Sequence, residues 1–295
     1  MELKQLKTFV VVAENMSFSK AAKILNFAQS SISDQIKLLE NDLNCQLFER
    51  LGRKIYLTHN GEKLLSYAKK ILNLCDEAKI DLSGSNIISG TLNIAMAETI
   101  CVYKLPNLFK KYSNLYPDVD LELRIGNCED FVTMIKSNKI DLAFTLGDNI
   151  NCSDIITKTL YKEPLVLVCS SSDCLAHKSH VNFVELENKR LILTQRNCTY
   201  RVDFENYLLD MGVAPKSILS LESIEAIKQY VISGFGVSYL PKISVEKEIS
   251  EGKLVEIDYN GPKFFAYAQL IYHKDKWLSP SIKTFLNMAI DELKE

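Results

Sequence analysis

The sequence predicts an α/β protein in three parts: a mainly helical N-terminal unit, a long linker helix, and a larger body of two α/β lobes. Three observations carry this expectation. Apolar residues in the first 45 positions recur at helical spacing, and the pattern resumes from Asn60 to about Ser83. The stretch 83–90, SGSNIISG, bears Gly and Ser and reads as a domain-bounding linker. Beyond it, short apolar runs alternate with helical segments, the pattern of strands joined by helical crossovers.

Bulk properties fit this division. The chain has 295 residues, 47% hydrophobic and 24% charged, ordinary for a globular protein with a sizeable core. No apolar run approaches the ~18 residues that span a bilayer, and the N-terminus does not read as a signal peptide. The expectation is a cytoplasmic protein without a membrane partner. The eight cysteines, at 45, 75, 101, 128, 152, 169, 174 and 198, form no CxxC pair and read as reduced thiols. His177 and His180 lack the partners of a metal motif and read as part of a solvated loop. No cofactor and no metal are expected. Residues 1–70 hold 11 Lys+Arg against 7 Asp+Glu, while the other 225 hold 24 against 30. A basic N-terminal part on an acidic body suits a polyanion at one end.

In chain order, Leu3, Leu6, Phe9, Val10 and Ala13 make a first amphipathic stripe. Ser17 or Ser19 can cap a second helix that runs through Leu25 and breaks at Asn26. The third, AQSSISDQIKLLENDL at 28–43, carries the stripe Ile32, Ile36, Leu39 and Leu43. Its other face is Gln29, Ser30, Ser31, Ser33, Asp34 and Lys37. Serine is a mediocre helix former, so a purely structural helix has little use for that face. Gly52 then sits in a basic turn of a short β-hairpin, or wing. The stripe of the helix from Asn60 needs a second surface, for which a second copy of the chain is the expected partner. The body reads as strand LNIAMA, a helix, strand VDLELRI with Val119, Leu121, Leu123 and Ile125 inward, a helix and strand IDLAFTL, in parallel. A second such series and late return segments suggest two lobes with a cleft between them.

The second and third helices fit a helix-turn-helix, with small Ala21 and Ala22 allowing a close crossing. Such a unit lays its second helix in the major groove, where Gln can bond adenine and Ser can donate or accept. Lys37, Arg50, Arg53 and Lys54 are placed to meet phosphates or the minor groove. The alternative is a plain helical scaffold; helix, turn, wing and charge together favour DNA.

These pieces resemble the LysR-type transcriptional regulators. SFSKAAKIL, then QSSIS, LLENDL, LFERLGR and LTHNG, match that family's winged helix-turn-helix in order. The likeness continues through GTL at 90–92, AETICVYKLP, YPDVDLEL, IDLAF and ESIEAIKQYVISGFGVSYLP, and so covers essentially the whole chain. It implies a winged helix-turn-helix DNA-binding domain at 1–59 and a linker or dimerisation helix with hinge at 60–89. The effector-binding domain follows at 90–295, with lobe 1 at about 90–163 and 267–295 and lobe 2 at about 164–266. It also implies double-stranded operator DNA, a small-molecule effector and a homodimer or homotetramer as partners. Carried over residue by residue, Gln29, Ser30, Ser31 and Ser33 face DNA, Lys37 lies near phosphate, Arg53 sits in the wing, and Arg50 is a phosphate contact or an internal anchor. Asp34 stands where members commonly have Arg; it either reads a base or turns into a salt bridge.

The same carry-over puts Glu98, Thr99, Ile100 and Cys128 on one side of the cleft and Asn197, Cys198, Thr199 and Arg201 on the other. Thr99 and Thr199 each lie between a strand and a helix, where free N–H groups favour an anion, and Arg201 can add a bidentate cation. The expected effector is a small carboxylate or other oxyanion, with Glu98 as the dissenting residue. The bland alternatives are threonine caps, a pairing of Arg201 with Asp203 or Glu205, and a merely buried Cys128. A thiol-based redox sensor at Cys198 is the rival regulator, with Arg196 and Arg201 near it in sequence. No GxSxG, P-loop, HExxH or GxGxxG occurs, so an enzyme is not expected.

Overall fold

A computed structural model of the chain describes residues 1–51, 54–82 and 88–294. It divides into two compact units, Met1–Asn86 and Ile87–Glu295.

The first unit begins with α1 (Leu3–Asn15), α2 (Phe18–Leu25) and α3 (Gln29–Leu43). The boundaries follow from local chemistry. Ser17 caps α2 by accepting from the Lys20 N–H. Asn26 and Asn44 end α2 and α3 in the left-handed region, at φ 54° and 48°, which Asn tolerates better than most residues. Leu6, Phe9 and Val12 of α1 are buried against Ala21 and Ala22 of α2 and Ile32, Ile36 and Leu39 of α3. Burying such aliphatic and aromatic side chains contributes about 1.5–3 kcal/mol each.

The wing is the antiparallel hairpin β1 (Phe48–Leu51) and β2 (Lys54–Leu57), with Phe48 opposite Leu57. Its entry is fixed from α3: Glu40 Oε1 accepts from the Leu47 and Phe48 amides at 2.8 and 3.3 Å. The exit is fixed by Thr58. Its hydroxyl donates to Gln46 O at 2.7 Å and accepts from the Gly61 N–H at 3.0 Å. Gly61 is required there, because a Cβ would lie 2.2 Å from Leu47 O.

α4 (His59–Leu82) follows. Its stripe does not wait for another chain: Leu64, Leu65, Ala68, Ile71 and Leu72 pack on the core of their own unit. Lys69 pairs with Glu14 of α1 at 2.6 Å. What remains exposed is a different face, with Tyr67 and Leu74 at 63% and 59%.

The second unit opens with β3 (Gly90–Met96), α5 (Glu98–Tyr103), α6 (Leu105–Leu115), β4 (Val119–Ile125), α7 (Cys128–Lys136) and β5 (Leu142–Gly147). β3 pairs in parallel with both β4 and β5. β4 is the edge strand of that sheet. Leu123 and Ile125, expected inward, are therefore 45% and 61% exposed, because the pleat alternation buries a residue only where something covers that face. β6 (Ile155–Ser170) then crosses between the lobes. After it come β7 (Arg190–Leu193), α8 (Thr199–Asp210), β8 (Ser217–Ser220), α9 (Ile224–Ile232), β9 (Ser238–Pro241), α10 (Glu246–Ser250), β10 (Leu254–Glu256), β11 (Phe265–His273) and α11 (Pro280–Leu293).

The body is not a purely parallel sheet. β11 runs antiparallel between β5 and the first half of β6. From Leu165 onward β6 changes partners, pairing antiparallel with β9 and β10 of the second lobe. β7 and β8 form a parallel pair there. A strand shared in this way holds the lobes side by side with a cleft at the ends of β3, β5 and β7.

Candidate functional site

Two surfaces carry chemistry. On α3, Ser30, Asp34 and Lys37 are exposed and Ser31 and Ser33 half-buried. The hydroxyls of Ser30, Ser31 and Ser33 hydrogen-bond to no described residue, and neither Asp34 nor Lys37 has an ion-pair partner among them. Asp34 thus turns into no salt bridge with a described residue. The helix starts without a side-chain cap and without an acid in its first turn, so its first N–H groups and their positive end face outward. Gln29 is the one anchored member: Ser19 donates to its Oε1 at 2.9 Å, which ties α2 to α3 and leaves the amide N–H groups free. Lys54 is exposed at the start of β2. The side chain of Arg50 and the whole of Arg53 lie outside the described residues.

The second surface is a cleft of about 340 Å³ in the second unit. Glu98, Thr99 and Cys128 line it from one lobe, Asn197, Cys198 and Thr199 from the other. Helix starts converge on it: Glu98 and Thr99 open α5, Cys128 opens α7, Thr199 opens α8 and Ile224 opens α9.

The lobes are bridged across this cleft. Glu98 accepts from Ser223 Oγ at 3.2 Å and from the Ile224 N–H at 3.1 Å, so an acid of the first lobe caps α9 of the second. Thr199 Oγ1 accepts from the Asp148 N–H at 3.3 Å. Gly147 makes room for that contact, since a Cβ there would lie 2.2 Å from the same oxygen. Asn197 Nδ2 donates to Glu129 Oε2 at 3.4 Å. Deeper on α5, Tyr103 donates to Glu225 at 2.6 Å and accepts from Lys228, which also pairs with Glu248.

Two of the expected cleft residues lie elsewhere. Arg201 is buried and turned away from the lining; its guanidinium donates to Thr194 O, to Ser220 Oγ at 2.8 Å and to Glu205 at 2.9 Å. This corrects its reading as an effector cation: every face of the fork is used to hold α8 against β7 and β8. Ile100 is fully buried in the core. The threonines are not caps, because Ala97 and Cys198 occupy the cap positions of α5 and α8. Thr99 is buried.

Burial pushes the Cys128 thiol up to about 11, with the nearby Cys198 adding to the rise. Burial also raises Cys198. By contrast Cys152, hydrogen-bonded by the Asp154 amide and beside the Lys136 ammonium, is held below the ordinary thiol range. Sequence reasoning passed over Glu129, Glu222, Thr194 and Tyr200, all in the lining. Thr194 had a usable signal: it directly follows the apolar strand RLIL, and the carboxyl ends of such strands open into clefts. Among the described residues no helix is long and apolar enough to cross a membrane, and no cluster of acid, Cys and His side chains suits a metal.

Comparison with known proteins adds the following. Residues 3–62 match the model of the bacterial regulatory helix-turn-helix protein, lysR family. Residues 85–294 match the LysR substrate binding domain. The chain is 37% identical over 293 residues to YwqM, an uncharacterised HTH-type transcriptional regulator of Bacillus subtilis, covering 98% of both chains. It is 32% identical to the HTH-type transcriptional regulator GltR of the same organism, over 100% of this chain and 98% of that one. Its fold matches a full-length OxyR variant from Pseudomonas aeruginosa with a TM-score of 0.76 at 23% identity, covering 99% of this chain and 94% of that one.

Proposed function

Because the chain belongs to the LysR family of DNA-binding transcriptional regulators, with an effector-binding domain, we propose a specific division of labour among its residues. α3 enters the major groove of operator DNA with Gln29, Ser30, Ser31 and Ser33 toward base edges. Lys37, Arg50, Arg53 and Lys54 meet phosphates or the minor groove, and Asp34 accepts from a cytosine amino group. The observation that carries this reading is the unbonded polar face of α3: its hydroxyls, acid and lysine are spent on no described residue. A second copy of the chain joins along the exposed face of α4 around Tyr67 and Leu74, giving a homodimer that can pair into a homotetramer, working in the cytoplasm.

The effector sits in the cleft between the lobes. Its acid group, a carboxylate or other oxyanion, lies at the start of α8, which has no acid in its first turn and lines the cleft with Thr199 and Tyr200. Binding there acts on the bridges made by Glu98, Asn197 and Thr199, and so changes the arrangement of the lobes and the bending of bound DNA. Redox sensing at Cys198 is the weaker reading. The structure does supply a second cleft thiol, Cys128, but burial raises both thiols, opposite to what a peroxide-reactive thiolate needs.

The test is selection of bound sequences from a randomised duplex library by the full-length protein, followed by gel shift with and without candidate small molecules. Enrichment of one sequence, with an affinity that a small molecule alters, supports the reading. Binding without sequence preference contradicts it.

A further inference from the structure

The charges of the cleft narrow the effector further. Among the described residues three carboxylates line it, Glu98, Glu129 and Glu222, and no Lys, Arg or His does. None of the three has an ion-pair partner among the described residues. Arg201, a buried cation of the second lobe, is consumed within its own lobe. Charges act on one another more strongly at a partly screened protein surface than in bulk water. Such a cleft repels a purely anionic ligand and draws a cationic group.

The helix starts do not reverse that argument, because most are already neutralised. α7 carries Glu129 and Asp130 in its first turn, and α9 is capped by Glu98. Only α8, twelve residues long, reaches the cleft without an acid in its first turn. Among the described residues the cleft therefore has one open positive end and three acids without a counter-cation.

A further group points to a ligand independently of these charges. Thr194 is 7% exposed and lines the cleft. Its hydroxyl makes no well-formed hydrogen bond and has the Cys198 thiol and the Tyr200 hydroxyl as polar side-chain neighbours. A buried hydroxyl without a partner is costly, and a ligand atom would satisfy it.

We propose that the effector is a small zwitterion such as a free amino acid, its ammonium group taken by Glu129 and Glu222 and its acid group by the start of α8 beside Thr194. This rests on the cleft being the effector site. The volume of about 340 Å³ suits a molecule of that size.

The experiment is thermal melting and calorimetry of the full-length protein with the free α-amino acids. Each is paired with the 2-hydroxy acid that carries a hydroxyl in place of the ammonium. At least one amino acid should raise the melting temperature and bind about tenfold or more tightly than its hydroxy partner. Glu129→Gln with Glu222→Gln should abolish that preference. Thr194→Val keeps the shape of the side chain and should weaken binding several-fold, with little change in the ligand-free melting temperature. A hydroxy acid that binds as tightly as its amino acid overturns the ammonium assignment and leaves the cleft as effector site. Absence of binding by every amino acid overturns the proposal outright. An amino acid that binds as described but leaves operator affinity unchanged upholds the ligand class and contradicts its role as effector.

Discussion

The polar face of α3 and the polar lining of the cleft are built on opposite plans. On α3 the serine hydroxyls, Asp34 and Lys37 are left unbonded to the described residues around them. In the cleft, Glu98, Asn197 and Thr199 already bond across it, and Arg201, which the sequence placed there, is locked inside one lobe. The difference matches the partners. A DNA duplex arrives as a stiff surface with its own donors and acceptors, so groups that read it are best held ready and free. A small molecule trapped between lobes acts by exchanging its contacts for theirs, so the lobes need contacts to exchange. The consequence is measurable: removing a group that bonds within or across the lobes costs stability, whereas removing an unbonded group on α3 costs DNA affinity.

The largest effect should come from Arg201→Ala. It leaves Glu205 and Thr194 O without their buried donor and should destabilise the second unit by about 3 kcal/mol in chemical denaturation. An unchanged midpoint would show that the arginine does not pin α8 to β7 and β8, and the lobe behind the cleft would lose its bonded plan. Gly147→Ala should come next, at about 1–2 kcal/mol, because its Cβ meets Thr199 Oγ1 at 2.2 Å and the Asp148 bridge must give way. On α3, Lys37→Ala should leave stability within about 0.5 kcal/mol. It should weaken binding to all duplexes alike and reduce the salt slope of log K by about 0.9, read by titration at several salt concentrations. Smaller still is Asp34→Ala, which should relax the base preference at one position without a change in stability.

A last contrast lies within the second unit and depends on pH. A thiolate forms as pH rises through the thiol's pKa, so a lowered pKa makes a thiol reactive at lower pH. Cys152 should therefore be alkylated by iodoacetamide before Cys198 and Cys128 as pH is raised, with Cys128 only half ionised at about pH 11. Mass spectrometry of the labelled peptides reads the order. Fastest labelling at Cys198 would restore the thiol-sensor reading.

The first three helices were legible because their signals are local, whereas the partner of the α4 stripe was not. The cap at Ser17, the break at Asn26, and the stripe Ile32, Ile36 and Leu39 depend on residues a few positions apart. The cleft was legible only in outline. Its position follows from where strands end, but the use of each group depends on residues far away in sequence. Glu98 meets Ser223, Asn197 meets Glu129, and Arg201 finds Ser220. Nothing local distinguishes an arginine that faces a ligand from one that pins its own helix. Leu123 and Ile125 failed for a related reason: alternation marks two faces of a strand, and the edge position of β4 decides that neither residue is covered.

The most direct test of the account is the double substitution Ser30→Ala, Ser33→Ala. Alanine is the better helix former by about 0.5 kcal/mol per position, and no described residue loses a bond. The account predicts an unchanged or higher melting temperature together with at least about tenfold weaker binding to a duplex selected by the unaltered protein. Full retention of that binding would contradict it, and the polar face of α3 would then be only a solvated surface.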